Sequence, residues 1–420
     1  MIARVGRAAR ESISGLPREF WWLWTSTLVN RLGAFVSTFL ALYLTQERGF
    51  SASYAGLVAA LYGLGGVIAS VGAGVLADRL GRRPTLFLAQ LSTSFTVAAL
   101  GFVQQPAAIA AVAFLVGLTS NSSRPAVQAI LADVVRPEDR MRAFALNYWA
   151  LNLGWAFASV AAGFLAEISY RIGFATESVM LLLCAALCFF RIPETRPDRT
   201  AGDTAEDQQA VSLGTVLRDG RFMGVTGLAF LIALLFNQMS MALPVTMGRD
   251  GLSSGDYGTV VAVNGFLIVA LQIPVTRFIE HRSPQRLLTV SALLAGYGFG
   301  LTAVAGSIPF YMLTVGIWTL GEIINSPTQT GLVARLSPTH GRGRYQGVFS
   351  LSWTLAGLVS PLAGGAVIDH FGPDTLWAGC AVLGTVAAAG YTLLMRELPP
   401  GNDRITPAPK AAAEPDPASV

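Results

Sequence analysis

The stretch that decides the fold is Gly74–Leu86, which reads G-V-L-A-D-R-L-G-R-R-P-T-L and forms a charged turn between two apolar runs. The runs, residues 54–77 and 84–103, contain no charged side chain. A helix needs roughly twenty apolar residues to cross the hydrocarbon core of a bilayer. The turn therefore lies at a membrane surface, between two transmembrane helices.

The composition of the whole chain is that of an integral membrane protein. Of its 420 residues, 53% are hydrophobic and 13% are charged, and the mean hydropathy is +0.53. The charged fraction of soluble proteins is about 25%. Cys184, Cys188 and Cys380 lie within apolar segments, so neither a disulfide framework nor a zinc site is predicted.

The lengths of the apolar runs, and the charged or Gly/Pro breaks between them, predict an all-α membrane protein with twelve transmembrane helices. The predicted spans are 20–44, 54–76, 84–104, 106–134, 140–166, 172–192, 222–247, 255–278, 285–306, 309–335, 342–369 and 373–396. The two apolar runs beside the charged turn are thus the second and third of twelve predicted transmembrane helices.

A polar linker, 193–221, divides these spans into two six-helix bundles, 20–192 and 222–396. Residues 1–19 are expected to form a cytoplasmic N-terminal tail. Residues 397–420 are rich in Pro and Ala and are expected to form a disordered cytoplasmic tail.

The distribution of cations predicts the topology. All but five of the 29 Lys and Arg residues fall in the tails, the linker and the loops after even-numbered spans; the exceptions are Arg31, Arg48, Arg124, Arg171 and Arg249. Cytoplasmic loops carry such an excess. Both termini are therefore predicted on the cytoplasmic side of the cell (inner) membrane. Because these cations are explained by topology, the net charge of +4 does not indicate nucleic acid as a partner.

An internal repeat relates the two halves at an offset of 202 residues. The matched pairs include Gly56 with Gly258, Gly63 with Gly265, Asp78 with Glu280, Pro125 with Pro327, Arg140 with Arg342, Arg142 with Arg344, and Gly163 with Gly365. Repeats of this kind are typical of secondary transporters, which hold the substrate between them near the bilayer midplane.

Eight positions of the turn resemble the signature loop between helices 2 and 3 of the major facilitator superfamily: Gly74, Leu76, Asp78, Arg79, Gly81, Arg82, Arg83 and Leu86. With the repeat, the resemblance covers residues 20–396. It implies two pseudo-symmetric six-helix bundles around a cavity lined by helices 1, 4, 7 and 10.

The resemblance also implies that the turn is a conformational latch and does not bind substrate. Gly74 then lets helix 2 approach helix 11, and Asp78 lies at the start of helix 11, where a helix favours negative charge. Arg82 is expected to pair with Asp133 at the end of helix 4. These contacts are expected when the cytoplasmic side is closed.

Other residues of the turn have two interpretations. Gly81 belongs to the same latch, whereas Arg79 and Arg83 either contribute to it or anchor the surface to anionic lipid. The second copy, residues 280–285, keeps an acid but lacks both glycines. We expect the second copy to be weaker.

Strongly polar residues within the spans fall on the four helices that the resemblance assigns to the cavity. They are Asn30 and Arg31 in helix 1, Ser120, Asn121, Arg124 and Gln128 in helix 4, Asn237 and Gln238 in helix 7, and Glu322, Asn325 and Gln329 in helix 10. Residues three or four apart share a helix face. We therefore expect the polar stripes of helices 4 and 10 to face each other across the cavity.

Glu322 is the candidate proton-coupling residue, because carboxylates inside a membrane are costly and mark proton relays. The other carboxylates are placed near span ends, where water reaches them: Asp133, Glu167, Glu177, Asp256, Asp369 and Asp374. Two alternatives stay open for Glu322. It forms a structural ion pair with Arg31 or Arg124, or it only contacts the substrate.

Arg31 and Arg124 have two interpretations as well. Their planar guanidinium groups suit a carboxylate or phosphate of the substrate, or they hold Glu322 ionised. Together with Glu322 they give the cavity a charge of about +1, which disfavours a purely cationic substrate.

These features predict a secondary active transporter that works by alternating access as a monomer in the lipid bilayer, without a cofactor and with the proton gradient as its energy source. We expect it to export small amphiphilic compounds, like the drug:proton antiporters of the superfamily that it resembles. Two further antiporter motifs are incomplete, since Phe114 replaces an Arg and Ala158-Ser159 replaces a Gly-Pro pair.

Two rivals stay open. One is a carrier for an anionic or zwitterionic metabolite or peptide, suggested by the two arginines, and the other is a membrane sensor that does not transport. An ATP-driven pump is excluded because Lys410 is the only lysine, so no phosphate-binding loop exists. No enzyme or metal site is predicted, because His281, His340 and His370 are scattered.

Overall fold

The computed structural model describes residues 15–136, 139–194, 213–279, 282–337 and 342–394; for residues 70–79, 125, 132, 140–142, 145, 334 and 342–343 it describes the backbone alone. Within these ranges the chain is helical and contains no strand. Most of the predicted tails and linker lie outside the described residues, as do Glu280, His281 and His340.

Twelve long helices follow one another, as the sequence predicts, and the predicted spans differ from them at their ends and at breaks within the first and fourth helices. The helices are α1 (Arg18–Leu32 and Val36–Leu42), α2 (Ala52–Leu80), α3 (Arg82–Leu100), α4 (Pro106–Asn121 and Ser123–Val134), α5 (Arg140–Ile168), α6 (Tyr170–Arg191), α7 (Gly220–Arg249), α8 (Ser254–Ile279), α9 (Pro284–Gly300, with a 3₁₀ turn Leu301–Val304), α10 (Ile308–Leu336), α11 (Arg342–Phe371) and α12 (Pro373–Leu394). A short helix, Leu213–Arg218, precedes α7.

Ten of these helices are long and apolar enough to cross a membrane by length and composition. The two others, α3 and α10, have similar lengths but carry more polar residues, including Arg82 and Arg83 in α3 and Glu322 in α10. These two helices are therefore less apolar than the other ten, but they still occupy the third and tenth positions in the order of helices.

Two of the helices are broken. The first segment of α1 ends at Leu32, and its second segment, Val36–Leu42, continues into a π-helical turn, Tyr43–Glu47. In α4 the break is at Ser122, three residues before Pro125, which has no N–H to donate to the carbonyl of Asn121. Pro327, the repeat counterpart of Pro125, lies within the uninterrupted α10.

The two halves meet through α2 with α11 and through α5 with α8. A Cβ added to Gly56 would lie 2.2 Å from the carbonyl oxygen of Pro361, and one added to Gly258 would lie 2.2 Å from that of Ser159. The offset of 202 residues maps the first contact onto the second. The repeat is thus visible as one helix contact made twice, and small residues permit it.

Among the side chains that the structure describes, the two halves share an apolar core only toward one end of the bundle. We call the end that carries the loops after α1, α5, α7 and α11 the distal end, and the opposite one, where α1 begins and α12 ends, the terminal end. One cluster of buried apolar side chains joins both halves, for example through Phe39 and Tyr257. Toward the terminal end each half has a core of its own, one around Phe20 and Ile130 and one around Phe222.

Two carboxylates cross between the halves at the distal end. Asp369 of α11 accepts hydrogen bonds from the backbone N–H groups of Ala52 (3.2 Å) and Ser53 (2.6 Å) at the start of α2. Glu167 of α5 accepts one from Gly255 (3.1 Å) at the start of α8. Glu167 maps onto Asp369 in the repeat, and a negative charge at a helix N-terminus is favourable. The same device therefore closes the distal end twice.

Candidate functional site

A cavity of about 270 Å³ lies within the first half of the chain, among α1 to α6. Its wall contains all the polar residues that the sequence predicted on α1 and α4: Asn30, Arg31, Ser120, Asn121, Arg124 and Gln128. The side chains of Arg124 and Gln128 are exposed, so solvent reaches the cavity. Val116, Val127 and Leu181 add apolar surface, and the lining is amphiphilic.

Arg31 is held at the end of the first segment of α1. Its guanidinium lies over the ring of Trp155 at 5.4 Å, which is the geometry of a cation–π contact. It is near enough to Arg124 and to Glu177 to interact with both charges. Its buried Nε has no hydrogen-bond partner among the described residues.

Glu177, which the sequence places near a span end, lies deeper in its helix than that placement implies. Glu177 lies seven residues into α6, roughly 10 Å along the helix, and lines the cavity. Its Oε2 accepts hydrogen bonds from the backbone N–H groups of Phe35 (3.1 Å) and Val36 (2.7 Å). A second intramembrane carboxylate therefore stands beside Arg31, at the break in α1.

Several buried polar atoms of the cavity wall have no protein partner among the described residues. They are Arg31 Nε, Ser37 Oγ, Gln90 Oε1 and Asn147 Oδ1. Buried polar groups are almost always hydrogen-bonded, so these atoms call for a polar ligand or water. The set offers an N–H donor, a hydroxyl group and two amide groups, which suits a ligand with both acceptors and donors.

Glu322 lies in the other half and does not line this cavity. Its Oε2 accepts a hydrogen bond from Asn264 Nδ2 of α8 at 2.8 Å, and Asn264 also donates to Thr319 Oγ1 at 3.1 Å. Tyr148 of α5 is the nearby group from the first half. Among the described residues neither Arg31 nor Arg124 forms an ion pair with Glu322, so this conformation gives no support to the structural ion-pair alternative.

The structure does not bring the remaining polar residues of α7 and α10 into one site. Gln329 donates to the hydroxyl of Tyr391 on α12 (3.0 Å), and Gln238 donates to the carbonyl of Ser360 on α11 (3.4 Å). Asn237 bonds within its own helix to Ala233. Asn325 is buried, and its amide has no partner in the described part of the chain. The stripe on α10 thus splits between neighbours and does not face α4 as a unit.

The signature turn contains the predicted ion pair between Arg82 and Asp133. Arg82 Nη1 also donates to the carbonyl of Ala129 (3.3 Å), which ties the start of α3 to the end of α4. Both partners belong to the first half, and the pair forms while the distal end is closed. The Arg82–Asp133 ion pair was expected when the cytoplasmic side is closed, but it forms within one half and so does not by itself require a closed terminal end. The side chains of Asp78 and Arg79 lie outside the described residues; at Gly74 only the backbone of α2 is described.

Glu194, just after α6, completes the turn. Its carboxylate accepts hydrogen bonds from the backbone N–H groups of Arg82 (2.9 Å) and Arg83 (3.3 Å), the first residues of α3. The guanidinium of Arg83 donates to the carbonyl of Phe189 and lies 4.8 Å from its ring. Arg83 is therefore fastened to α6, which favours a structural contribution over a lipid anchor.

Gly81 is required by this geometry, and its replacement tests it. Its φ of +103° is accessible to glycine, and an added Cβ would lie 2.6 Å from Glu194 Oε2. We expect Gly81→Ala to cost about 1 to 3 kcal/mol of stability. Gly251→Ala is the matched control, because Gly251 has a φ of +79° but nothing within 4 Å. Equal shifts in the unfolding temperature of the two variants in detergent would contradict a specific contact with Glu194.

The second copy of the turn has no counterpart of the Arg82–Asp133 pair. Pro284 stands at the repeat position of Arg82, and Arg335 stands at that of Asp133. Arg335 and Arg282 line a separate cavity of about 290 Å³ between α8, α9 and α10. That the second turn is the weaker one stays a prediction.

Sequence reasoning missed three carboxylates that the structure brings into use: Glu177, Glu167 and Asp369. For Glu177 the available signal was its position seven residues inside an otherwise apolar helix. For the other two it was the repeat, since the offset of 202 residues pairs one acid with the other.

Comparison with known proteins gives consistent matches along the chain. The family model of the Major Facilitator Superfamily matches residues 23–361 and 251–419. A Na(+), Li(+), K(+)/H(+) antiporter of Planococcus maritimus is 25% identical over 395 residues, 86% of this chain and 91% of the relative. Multidrug resistance protein MdtH of Citrobacter koseri is 24% identical over 388 residues, 88% of this chain and 93% of the relative.

The solved structures extend the likeness to the fold. A crystal structure of the nucleoside transporter NupG matches with a TM-score of 0.78 and 12% identity, over 90% of this chain and 100% of that one. At this identity the match concerns the fold alone.

Proposed function

The chain belongs to the Major Facilitator Superfamily, and from this premise we propose that it is a proton-coupled secondary transporter that exports small amphiphilic compounds by alternating access. The observation that carries the proposal is the amphiphilic cavity in the first half, reached by solvent, in a bundle whose described side chains join the two halves in one apolar core toward the distal end. The excess of cations at the terminal end supports a cytoplasmic location of that end and of both termini.

Proton coupling is supported by two carboxylates within the membrane-spanning helices, Glu322 in α10 and Glu177 in α6. Such groups are costly in a membrane and mark proton pathways. One relative bears the name of a cation/H(+) antiporter and another that of a multidrug resistance protein, which is consistent with export against protons.

The cavity's charge narrows the class of cargo. Arg31 and Arg124 face a single carboxylate, Glu177, which leaves a net charge of about +1. The exported compound in this account has an apolar body, which contacts Val116 and Leu181, and a polar end with an anionic or zwitterionic group. A purely cationic drug fits this wall poorly.

The unpaired polar atoms of the wall favour a second candidate, a carrier for a zwitterionic metabolite or peptide. An anionic group would bind Arg31, and an ammonium group would donate to the amide oxygens of Gln90 and Asn147. The two candidates differ in whether cargo needs an apolar body. A third possibility, a sensor that does not transport, predicts no flux for any compound.

One experiment separates these functions. Purified protein is reconstituted in liposomes that contain a pH-sensitive dye, and cationic, neutral, anionic and zwitterionic compounds, each with and without an apolar tail, are added under an imposed pH gradient. We expect proton movement with the anionic and zwitterionic amphiphiles. Equal movement with tail-free zwitterions would favour the second candidate, and movement with cations only, or with nothing, would contradict the proposal.

Neutralising the cavity arginines is expected to reduce affinity for cargo. Arg31→Gln or Arg124→Gln removes a charged hydrogen-bond donor worth about 1.5 to 3 kcal/mol, so the transport KM should rise roughly tenfold to a hundredfold. Arg48→Gln, at the distal end and outside the cavity lining, is the matched control. If folded protein in the membrane falls as much as transport does, the arginines have a structural function instead.

A further inference from the structure

The break in α1 separates segments that belong to different cores. Phe20 and Leu23 of the first segment pack in the terminal-end core of the first half. Phe39 of the second segment packs in the core shared by both halves, and its ring lies 5.5 Å from that of Tyr257 in α8. The break is therefore the joint between a part that belongs to one half and a part that holds the halves together.

Glu177 bridges this joint from α6. Val36 is the first residue of the second segment, and the first N–H groups of a helix have no acceptor within the helix. Glu177 Oε2 accepts from Val36 N at 2.7 Å and from Phe35 N at 3.1 Å. The N–H of Phe35 also reaches the carbonyl of Gly33 at 2.7 Å, so Val36 depends most on the carboxylate.

Arg31 of α1 is the charged group that interacts with Glu177, and the hydroxyl of Tyr62 in α2 lies near both. Arg124 of α4, in the same cavity wall, is near enough to interact with Arg31. From α3 and α5 the described cavity wall contributes only uncharged groups, among them Gln90 and Asn147. Ionised Glu177 thus has two functions at once, as acceptor for the second segment of α1 and as counter-charge for Arg31.

We propose that Glu177 is a proton-binding residue of the transport cycle, and that its ionised form clamps the broken helix α1 in the conformation closed at the distal end. A proton from the solvent that reaches the cavity converts the carboxylate into a weaker acceptor. The second segment then loses its bond at Val36 and its packing against the other half weakens. The same proton leaves Arg31 without its counter-charge and ready for an anionic group of the cargo.

This proposal rests on the proposed function only where it links protonation of Glu177 to transport. Glu177 is a second proton-binding carboxylate in addition to Glu322 and does not replace it. Glu322 lies on the opposite half, where Asn264 of α8 is its hydrogen-bond donor. The two carboxylates can therefore be separated by experiment.

The test is hydrogen exchange of the peptide that spans residues 33–42, in nanodiscs, from mildly acidic to mildly alkaline pH and corrected for intrinsic exchange. In the wild type we expect protection of this peptide to fall as pH falls. In Glu177→Gln exchange should be at least about tenfold faster than in the wild type at alkaline pH, and independent of pH. Asp374→Asn, which neutralises a carboxylate in the first turn of α12, should keep the wild-type profile.

Retention of the wild-type pH profile in Glu177→Gln would overturn the proposal, as would a wild-type peptide whose protection does not depend on pH. If Glu177→Gln does not fold, Glu177→Asp takes its place: the charge is kept but the shorter side chain reaches α1 less well, so protection should be lower at alkaline pH and still depend on pH. Because the measurement needs no cargo, failed transport assays and failed exchange assays bear on different proposals.

Discussion

Asp369→Asn is expected to open the distal end of the bundle. The carboxylate comes from α11, holds the start of α2 through Ala52 and Ser53, and pairs with Arg249 at 3.1 Å. Asparagine keeps one acceptor oxygen but loses the charge. Because the site is partly exposed, we expect a cost of about 1 to 2 kcal/mol, which shifts the balance toward the open distal end roughly 5- to 30-fold.

The shift can be measured as a distance between spin labels on Gln105→Cys and Ser307→Cys, exposed distal positions that are repeat counterparts. The three native cysteines are buried, which limits unwanted labelling. Asp374→Asn is the control, since Asp374 lies in the first turn of α12 at the same end. A longer distance in both variants, or in neither, would show that the Asp369 carboxylate does not specifically hold the distal end closed.

Gly258→Ala is expected to have the larger effect of the two. The added Cβ would lie 2.2 Å from the carbonyl oxygen of Ser159 and 3.2 Å from Cα of Gly163. Both neighbours are backbone, so no rotamer change relieves the overlap. Helices α5 and α8 must separate, at a cost of about 3 kcal/mol or more to the distal-closed state. Transport should stop because one of the two alternating states is lost.

The repeat supplies a second copy of this test and the fold supplies its control. Gly56→Ala meets the carbonyl oxygen of Pro361 at 2.2 Å and should act in the same way through α2 and α11. Gly227→Ala, in α7, has nothing within 4 Å and should leave transport unchanged. Normal transport by Gly258→Ala would mean that the two helices do not approach this closely during the cycle.

The sequence predicts the helices well because membrane spans are decided by local properties. Length and apolar composition set each span, and Arg and Lys set the breaks. The offset that matches Gly56 with Gly258 in the sequence also relates their helix contacts in the structure. The pairing of Arg82 with Asp133 followed from the resemblance of the signature turn to the loop of the superfamily, and the structure contains it.

The candidate site was predicted in part. Helical phase places Ser120, Asn121 and Arg124 on one face of α4, and the structure brings them together with Arg31 in one cavity. The contribution of α6 could not be read from the sequence, because which helix lies beside the break in α1 is a tertiary property. Distance from a span end is therefore what the sequence offers for Glu177, whereas its hydrogen-bond donors are the backbone N–H groups of Phe35 and Val36.

The second half shows the opposite failure. Glu322, Asn325 and Gln329 have the spacing of one helix face, yet Glu322 bonds to α8 and Gln329 bonds to α12. Sequence spacing determines which face of a helix a side chain leaves from, but hydrogen-bond partners on neighbouring helices determine where its polar group lies. Only the packing of α8 and α12 against α10 supplies those donors.

Alternating access itself is tested most directly by measuring both ends of the bundle in one experiment. Spin-label pairs at Gln105 and Ser307 report the distal end, and pairs at the exposed residues Arg136 and Arg335 report the terminal end. Comparing wild type with Asp369→Asn, we expect the terminal distance to shorten in the molecules whose distal distance lengthens. Lengthening at both ends together, as in a bundle that merely loosens, would contradict the account.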